Sequence, residues 1–120
     1  MKKTALVTHE ECLQHLTPPG HPEQVARLEY ILEALKDINL LRVSAPMAAD
    51  DDILRIHPRE HINYLQEAVP ENGFKSLDGD THISSGSLTA AYRAAGGVLR
   101  AVDLVLSGEA KNAFVAVRPP

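Results

Sequence analysis

The chain has 120 residues and a net charge of −4 at pH 7, so there is no electrostatic case for nucleic acid as its ligand. Hydrophobic residues make up 44% and charged residues 23%, a balance typical of one folded globular domain and not of a disordered chain. No apolar run approaches the roughly 20 residues that span a bilayer. The apolar run at residues 5–7 is too short for a signal peptide, and the single cysteine, Cys12, has no partner for an internal disulfide. We therefore expect a cytoplasmic protein.

The first third of the chain predicts a strand, a helix and a second strand. Residues 4–8 are apolar and β-prone, which indicates the first strand. Pro22 suits the first position of a helix, and Glu23 would lie in the first turn, where the helix dipole favours a negative charge. Apolar residues at three- and four-residue spacing predict one buried face of this helix: Val25, Leu28, Leu32 and Leu35. Residues 41–43 predict the second strand.

Several helices follow in the middle of the chain. The aspartates at 50–52 predict the cap of a short helix, and a second helix is expected from Pro58 to Pro70. Residues 71–84 contain few apolar side chains and predict a loop. Ser84 or Ser85 would cap a long helix with Gly108 as its C-terminal cap. The predicted apolar face of that helix comprises Leu88, Ala91, Ala95, Val98 or Leu99, Val102 and Leu106.

Two glycines inside the long helix and the segment after it complete the pattern. Gly96 and Gly97 each cost roughly 1 kcal/mol against alanine in a helix, so we expect a close backbone approach there. Residues 112–117 are almost wholly apolar and predict a third strand, buried on both faces. The alternation of strands and helices predicts an α/β fold with a parallel sheet, with no linker that divides residues 1–120.

Four local patterns occur in an order typical of one enzyme family. A strand ends in a histidine, His9, before a polar loop. The other patterns are Gly20-His21-Pro22-Glu23 with Arg27-Leu28, then His57-Pro58-Arg59-Glu60-His61-Ile62, then Leu77-Asp78-Gly79-Asp80-Thr81 with Ser85-Gly86-Ser87 and Ala94-Ala95-Gly96-Gly97. The chain closes with Asn112-Ala113-Phe114-Val115-Ala116-Val117-Arg118-Pro119-Pro120. This order resembles the N-terminal part of the histone deacetylase, acetylpolyamine amidohydrolase and acetoin-utilisation family of zinc-dependent deacetylases.

The resemblance implies a fold, a reaction and a cofactor. The fold would be the N-terminal portion of the three-layer arginase/deacetylase architecture, with the first strand in the middle of the three. Family members hydrolyse acetyl-lysine or acetylpolyamine-type amides with one Zn²⁺ and a histidine pair. By resemblance, those histidines would follow Pro120, and the metal ligands would come later. We therefore assign no catalytic and no metal residue to residues 1–120, and we expect this chain alone to be inactive.

Two residues are candidates for substrate binding by the same resemblance. Asp80 matches the rim aspartate that accepts hydrogen bonds from the backbone amides of a peptide substrate, and a carboxylate makes the stronger, charge-assisted kind. Alternatively, Asp80 is a turn residue. Arg27 matches an arginine at the floor of the substrate tunnel, where it would help acetate to leave. Alternatively, Arg27 is a solvent-exposed helix residue that pairs with Glu23.

The remaining polar residues predict structural roles. His21 and His57 each precede a proline at an expected helix start, which favours capping. His9 and His15 have no further ligand placed to complete a tetrahedral zinc site, and Cys12 is expected to be inert.

A rival interpretation belongs to another functional class, a non-catalytic interaction module built on the same half-fold. For either function, we expect self-association through residues 112–117, because an unpaired strand edge is a template for pairing with another chain.

Overall fold

A computed structural model describes residues 2–120, and a parallel three-stranded sheet lies at its centre. Strand β1 (Thr4–Thr8) pairs with β2 (Leu41–Ser44) on one side and with β5 (Asn112–Val115) on the other. The sheet order is β2-β1-β5, as expected, with the first strand in the middle. The predicted α/β fold with a parallel sheet is therefore confirmed.

Helices and one small hairpin fill the connections. A 3-10 helix (Glu10–Gln14) follows β1, and α1 (Val25–Leu35) leads to β2. Helices α2 (Asp50–Ile53) and α3 (Arg59–Ala68) precede a hairpin of β3 (Lys75–Ser76) and β4 (His82–Ile83). The long helix α4 (Ser87–Leu106) then returns the chain to β5. Within residues 2–120, no helix combines the length and the apolar character that crossing a membrane requires.

The core lies on both faces of the sheet. On one face, Ala5 and Val7 of β1 pack with Ala101 and Leu104 of α4. On the other face, Leu6 packs with Leu28 of α1, with Cys12 and with Ala116. Because alternate residues of β1 point to opposite faces, this one short strand contributes to both clusters.

The two helix glycines lie where the backbone of α4 comes closest to the rest of the fold. A Cβ atom on Gly96 would lie 1.9 Å from the carbonyl oxygen of Pro46. A Cβ atom on Gly97 would lie 3.1 Å from the Cβ of Ala45. The expected close backbone approach at these glycines is therefore confirmed. Gly108 has φ +83° just after α4, as expected for a helix C-terminal cap.

Two expectations about helix positions are wrong. The first helix begins at Val25 and not at Pro22, so Glu23 lies before it. Glu23 is held in the loop because its carboxylate pairs with Arg118 and its carbonyl accepts a hydrogen bond from the Thr17 hydroxyl. The long helix begins at Ser87 with Gly86 at its N-cap, and no serine side chain caps it.

The buried face of α4 also differs from the predicted one. The buried residues of α4 are Ser87, Ala90, Gly96, Gly97, Ala101 and Leu104. The predicted face includes Val102 and Leu106, which are 49% and 81% exposed. The helix carries apolar residues on both sides, and the side with the smaller ones meets the sheet because it allows the closer approach.

The last strand and the region 71–84 also depart from expectation. Phe114 on β5 is 49% exposed, so this strand is not buried on both faces within residues 2–120. The region predicted as a loop contains the β3–β4 hairpin. Two-residue strands leave too short an alternation for the sequence to indicate them.

Candidate functional site

Segments that are distant in sequence form one groove of about 590 Å³ beyond the sheet. Its walls are the loop after the 3-10 helix, the β3–β4 hairpin, the start of α3 and the start of α4, together with Pro119 and Pro120. Five histidines line it: His15, His21, His57, His61 and His82. The groove therefore brings histidines from three separate segments together beside the start of α4.

A buried arginine anchors the loop that forms one wall of the groove. Arg118 is 1% exposed, and its Nε and Nη2 donate to the two carboxylate oxygens of Glu23 at 2.9 and 2.7 Å. Its Nη1 donates to the carbonyl oxygens of Cys12 and His15. Such a two-point pair fixes geometry as well as charge. Arg118 therefore joins the segment after β5 to both ends of the loop between the 3-10 helix and α1.

Burial and the charge of Arg118 together shift the pKa values of Glu23 and His15. Burial acts to raise the pKa of Glu23, but the hydrogen bonds and charge of Arg118 outweigh it, so the pKa lies below its ordinary value. Burial lowers the pKa of His15, and the charge of Arg118 lowers it further against the opposing pull of Glu23. His15 is consequently a neutral ring beside an ionised carboxylate.

A chain of hydrogen bonds continues from His15 into the start of α4. His15 Nδ1 lies 2.7 Å from the Ser87 hydroxyl, and its Nε2 lies 3.6 Å from Glu23 Oε2. The Ser87 hydroxyl also accepts from the Ser84 amide at 2.7 Å. A neutral ring with its proton on Nε2 satisfies both contacts of His15, because Nδ1 then accepts from Ser87. Sequence reasoning considered His15 only as half of a zinc pair with His9, rejected that pair, and missed this structural role.

Asp80 lies at the tip of the hairpin, and its carboxylate does not take part in the hydrogen bonds of the turn. The turn is held by Asp78, whose Oδ1 accepts from the backbone amides of Asp80 and Thr81, each at 2.8 Å. The Asp80 side chain is 95% exposed and faces His21, with Oδ1 3.4 Å from His21 Nε2. Asp78, and not Asp80, therefore performs the turn role that was the alternative for Asp80.

Arg27 lies on α1 in the geometry of a helix surface pair. Its Nη1 donates to Glu23 Oε1 at 3.1 Å, and its side chain is 55% exposed. Arg27 and Asp80 are thus placed on different segments: Arg27 reaches Glu23, whereas Asp80 reaches His21. Glu23 receives bonds from both arginines, and the buried Arg118 is the closer partner. A lone charged residue after an apolar strand was the one signal in the sequence that pointed to Arg118.

The donor atoms of this groove do not suit a resident metal. Within residues 2–120, no three histidine, cysteine, aspartate or glutamate side chains converge as a metal site would require. His15 is bonded to Ser87, and Glu23 is held by Arg118, so neither is available as a ligand. Cys12 is buried, and burial raises the pKa of its thiol, which disfavours the thiolate that binds metals. Zinc chemistry therefore cannot be assigned to these side chains.

Comparison with known proteins identifies the family. The sequence model of the histone deacetylase domain matches residues 21–120. The chain belongs to the histone deacetylase family. It is 36% identical to a probable deacetylase of Archaeoglobus fulgidus over 98% of this chain and 34% of that protein. It is 34% identical to a histone deacetylase-like amidohydrolase of Pseudomonas aeruginosa over 99% of this chain and 37% of that protein.

The fold of this deacetylase-family chain is also that of a solved relative. The crystal structure of the HDA15 HD domain superimposes with a TM-score of 0.86 and 25% identity, over 98% of this chain and 36% of that one. The chain thus spans about a third of the length of these relatives.

Proposed function

We propose that residues 1–120 are the N-terminal part of a zinc-dependent deacetylase and form the rim of its substrate site. The reaction is hydrolysis of acetyl-lysine or acetylpolyamine-type amides, in the cytoplasm. The zinc ligands and the catalytic histidine pair are proposed to lie outside these 120 residues, so the isolated chain is inactive. The family match over residues 21–120 supports the reaction class.

The exposed carboxylate of Asp80 is the observation that carries the rim proposal. It stands at the mouth of the groove, and the turn beneath it is held by Asp78. An ionised carboxylate offers about four lone-pair positions, so Asp80 can face His21 and still accept from the backbone amides of a peptide.

Arg27 is proposed to bind the departing acetate once its guanidinium releases Glu23. Its guanidinium is bonded to Glu23 and exposed at the start of α1. Release of the Arg27–Glu23 pair leaves Glu23 bonded to Arg118, so Arg27 is free to turn toward an acetate ion without exposing an unpaired carboxylate. This exchange is compatible with the expected role in product release.

The decisive experiment is Asp80→Asn in the natural full-length protein, with Asp37→Asn as a matched exposed control. Asparagine keeps an acceptor but loses the charge, which roughly halves the strength of the bond. We expect KM for a peptide that carries acetyl-lysine to rise about fivefold. A small free acetylamine has no backbone amide, so its KM should change little. Equal kinetics of Asp80→Asn and wild type on the peptide would remove Asp80 from the rim.

A second proposal concerns self-association of the 120-residue chain, which is expected for the deacetylase part and for the interaction module alike. Strand β5 lies at the edge of the sheet, and its Phe114 is 49% exposed. The outer side of α4 presents Val98, Val102 and Leu106, which are also exposed. A strand edge next to an apolar surface favours pairing with a second copy of this chain.

A further inference from the structure

The β3–β4 hairpin that carries Asp80 has little support of its own. It contains only two residue pairs, Lys75 with Ile83 and Ser76 with His82. A hairpin this short is marginal without contacts to the rest of the protein. Motion of the hairpin tip would have to stop when a substrate binds to Asp80, and the conformational entropy lost in this way weakens binding.

His21 makes the contact that supports the hairpin tip. Its Nε2 lies 3.2 Å from the Asp80 carbonyl oxygen and 3.4 Å from Asp80 Oδ1. Its ring also meets the His82 ring edge-on, with centroids 5.4 Å apart. Within residues 2–120, no other side chain from outside the hairpin bonds to Asp80. The contact spans 59 positions in sequence, so it ties two otherwise separate loops together.

The His21 ring is itself held in one orientation. The backbone amide of Glu23 donates to His21 Nδ1 at 3.1 Å, so Nδ1 is the acceptor of the ring and Nε2 is the donor that faces Asp80. Glu23 is fixed by the buried Arg118, and its carbonyl oxygen is bonded to Thr17. The His21 side chain is 15% exposed. The ring is therefore a rigid donor that faces a weakly supported loop.

We propose that His21 is a positioning residue for peptide recognition, because it holds Asp80 in the orientation that accepts the substrate's backbone amides. This inference rests on the proposed rim function of Asp80. In this proposal, His21 acts only through Asp80 and does not contact the amide that is hydrolysed. Its contribution belongs to peptide substrates alone, since a free acetylamine does not use the rim.

Two conservative substitutions separate the two bonds of His21. His21→Asn places an oxygen near the position of Nδ1, so it keeps the acceptor for the Glu23 amide but cannot reach Asp80. His21→Gln extends a donor toward the position of Nε2 and should restore the contact with Asp80. We expect His21→Asn in the natural full-length protein to raise KM for an acetyl-lysine peptide about threefold to tenfold, the range for one lost hydrogen bond. The kcat value and the kinetics of a free acetylamine should stay within about twofold, and His21→Gln should recover most of the loss.

The double variant His21→Asn with Asp80→Ala tests whether the two residues act together, because alanine leaves no side-chain acceptor for His21 to position. If His21 acts through the Asp80 side chain, the double variant should bind the peptide no worse than Asp80→Ala alone. Additive losses would overturn the inference. An unchanged KM in His21→Asn, alongside a raised KM in Asp80→Asn, would overturn it while leaving the rim function intact. An unchanged KM in Asp80→Asn would instead reject the proposed function of Asp80, and this inference with it.

Hydrogen exchange gives a readout that does not depend on turnover. In His21→Asn, the amides of residues 77–82 should exchange several-fold faster than in wild type, while those of β1 keep their rates. His57→Asn is the matched control, because His57 stacks on His61 at 4.5 Å and makes no bond to Asp80. Should His21→Asn fail to fold, His21→Ala takes its place in the same comparison. Unchanged exchange in the hairpin of either folded variant would overturn the proposal.

Discussion

The substitution Gly96→Ala tests the contact between α4 and the segment after β2. The added Cβ would lie 1.9 Å from the Pro46 carbonyl oxygen, and 2.8 Å from both the Pro46 carbonyl carbon and the Ala48 nitrogen. All three are backbone atoms, so no side-chain rotation can make room. Helix α4 and residues 46–48 must therefore move apart.

The expected change in the free energy of unfolding combines one stabilising effect and two destabilising effects. Alanine is favoured over glycine in a helix by about 1 kcal/mol. Overpacking at a site that cannot relax costs about 1–3 kcal/mol. The Ala48 amide donates to the Tyr92 carbonyl oxygen at this same contact, and an unpaired buried donor costs about 1–3 kcal/mol. We therefore expect the free energy of unfolding to fall by about 1–5 kcal/mol, and Tm by roughly 4–20 °C at this chain length.

Urea and thermal unfolding followed by circular dichroism measure this loss. Gly79→Ala is the control, because a Cβ there meets nothing within 4 Å and the backbone does not require glycine. Gly97→Ala should give an intermediate loss, since its nearest neighbour is a side-chain methyl at 3.1 Å. A Gly96→Ala protein that is as stable as wild type would show that this interface yields easily and would refute the reasoning.

Four further outcomes are expected. The free energy of unfolding should decrease as pH falls below about 6.5, because His15 has a lowered pKa and the unfolded chain takes up the proton first. The lowered pKa of Glu23 adds a further loss below about 4.5, and His15→Asn should flatten the upper part of this urea-monitored profile. Arg118→Met should destabilise the chain by about 3 kcal/mol, whereas Arg27→Met, which removes an exposed partner of the same carboxylate, should cost less than about 1 kcal/mol. The isolated 120-residue chain should bind no stoichiometric Zn²⁺ by metal analysis and release no acetate; chelator-sensitive deacetylation would contradict this. Light scattering should show self-association that Phe114→Lys weakens, and a heat-stable, monodisperse wild-type monomer would contradict the proposed edge pairing.

The features that sequence patterns predicted correctly are those that residues close together in the sequence determine. The three strands are short apolar runs between polar turns, and their order follows from the family resemblance. Gly96 and Gly97 indicated a close approach because glycine inside a helix needs a compensating contact. Asp80 was selected by its place in a motif; its carboxylate is exposed at the groove, and its role in substrate binding stays a prediction.

The features that were missed depend on partners far away in sequence. Pro22 and Glu23 satisfy every local rule for a helix start, but Arg118 draws Glu23 into a loop from 95 positions away. The buried face of α4 was misassigned because both sides of the helix are apolar, and the choice between them depends on which side fits the sheet. The contact of His21 with Asp80 likewise has no local signal, because it joins two loops.

The central place of β1 sets a constraint on how this chain can fold. Val7 is paired on one side with Val43 and on the other with Val115, and Thr8 donates to the Ala116 carbonyl oxygen across 108 positions. Strand β1 therefore stays half-paired until almost all of residues 2–120 have been synthesised. Closing so long a loop is entropically costly and slow, so the native sheet is completed late. During that interval β1, with Ala5, Leu6 and Val7, is the apolar segment most in need of protection from other chains.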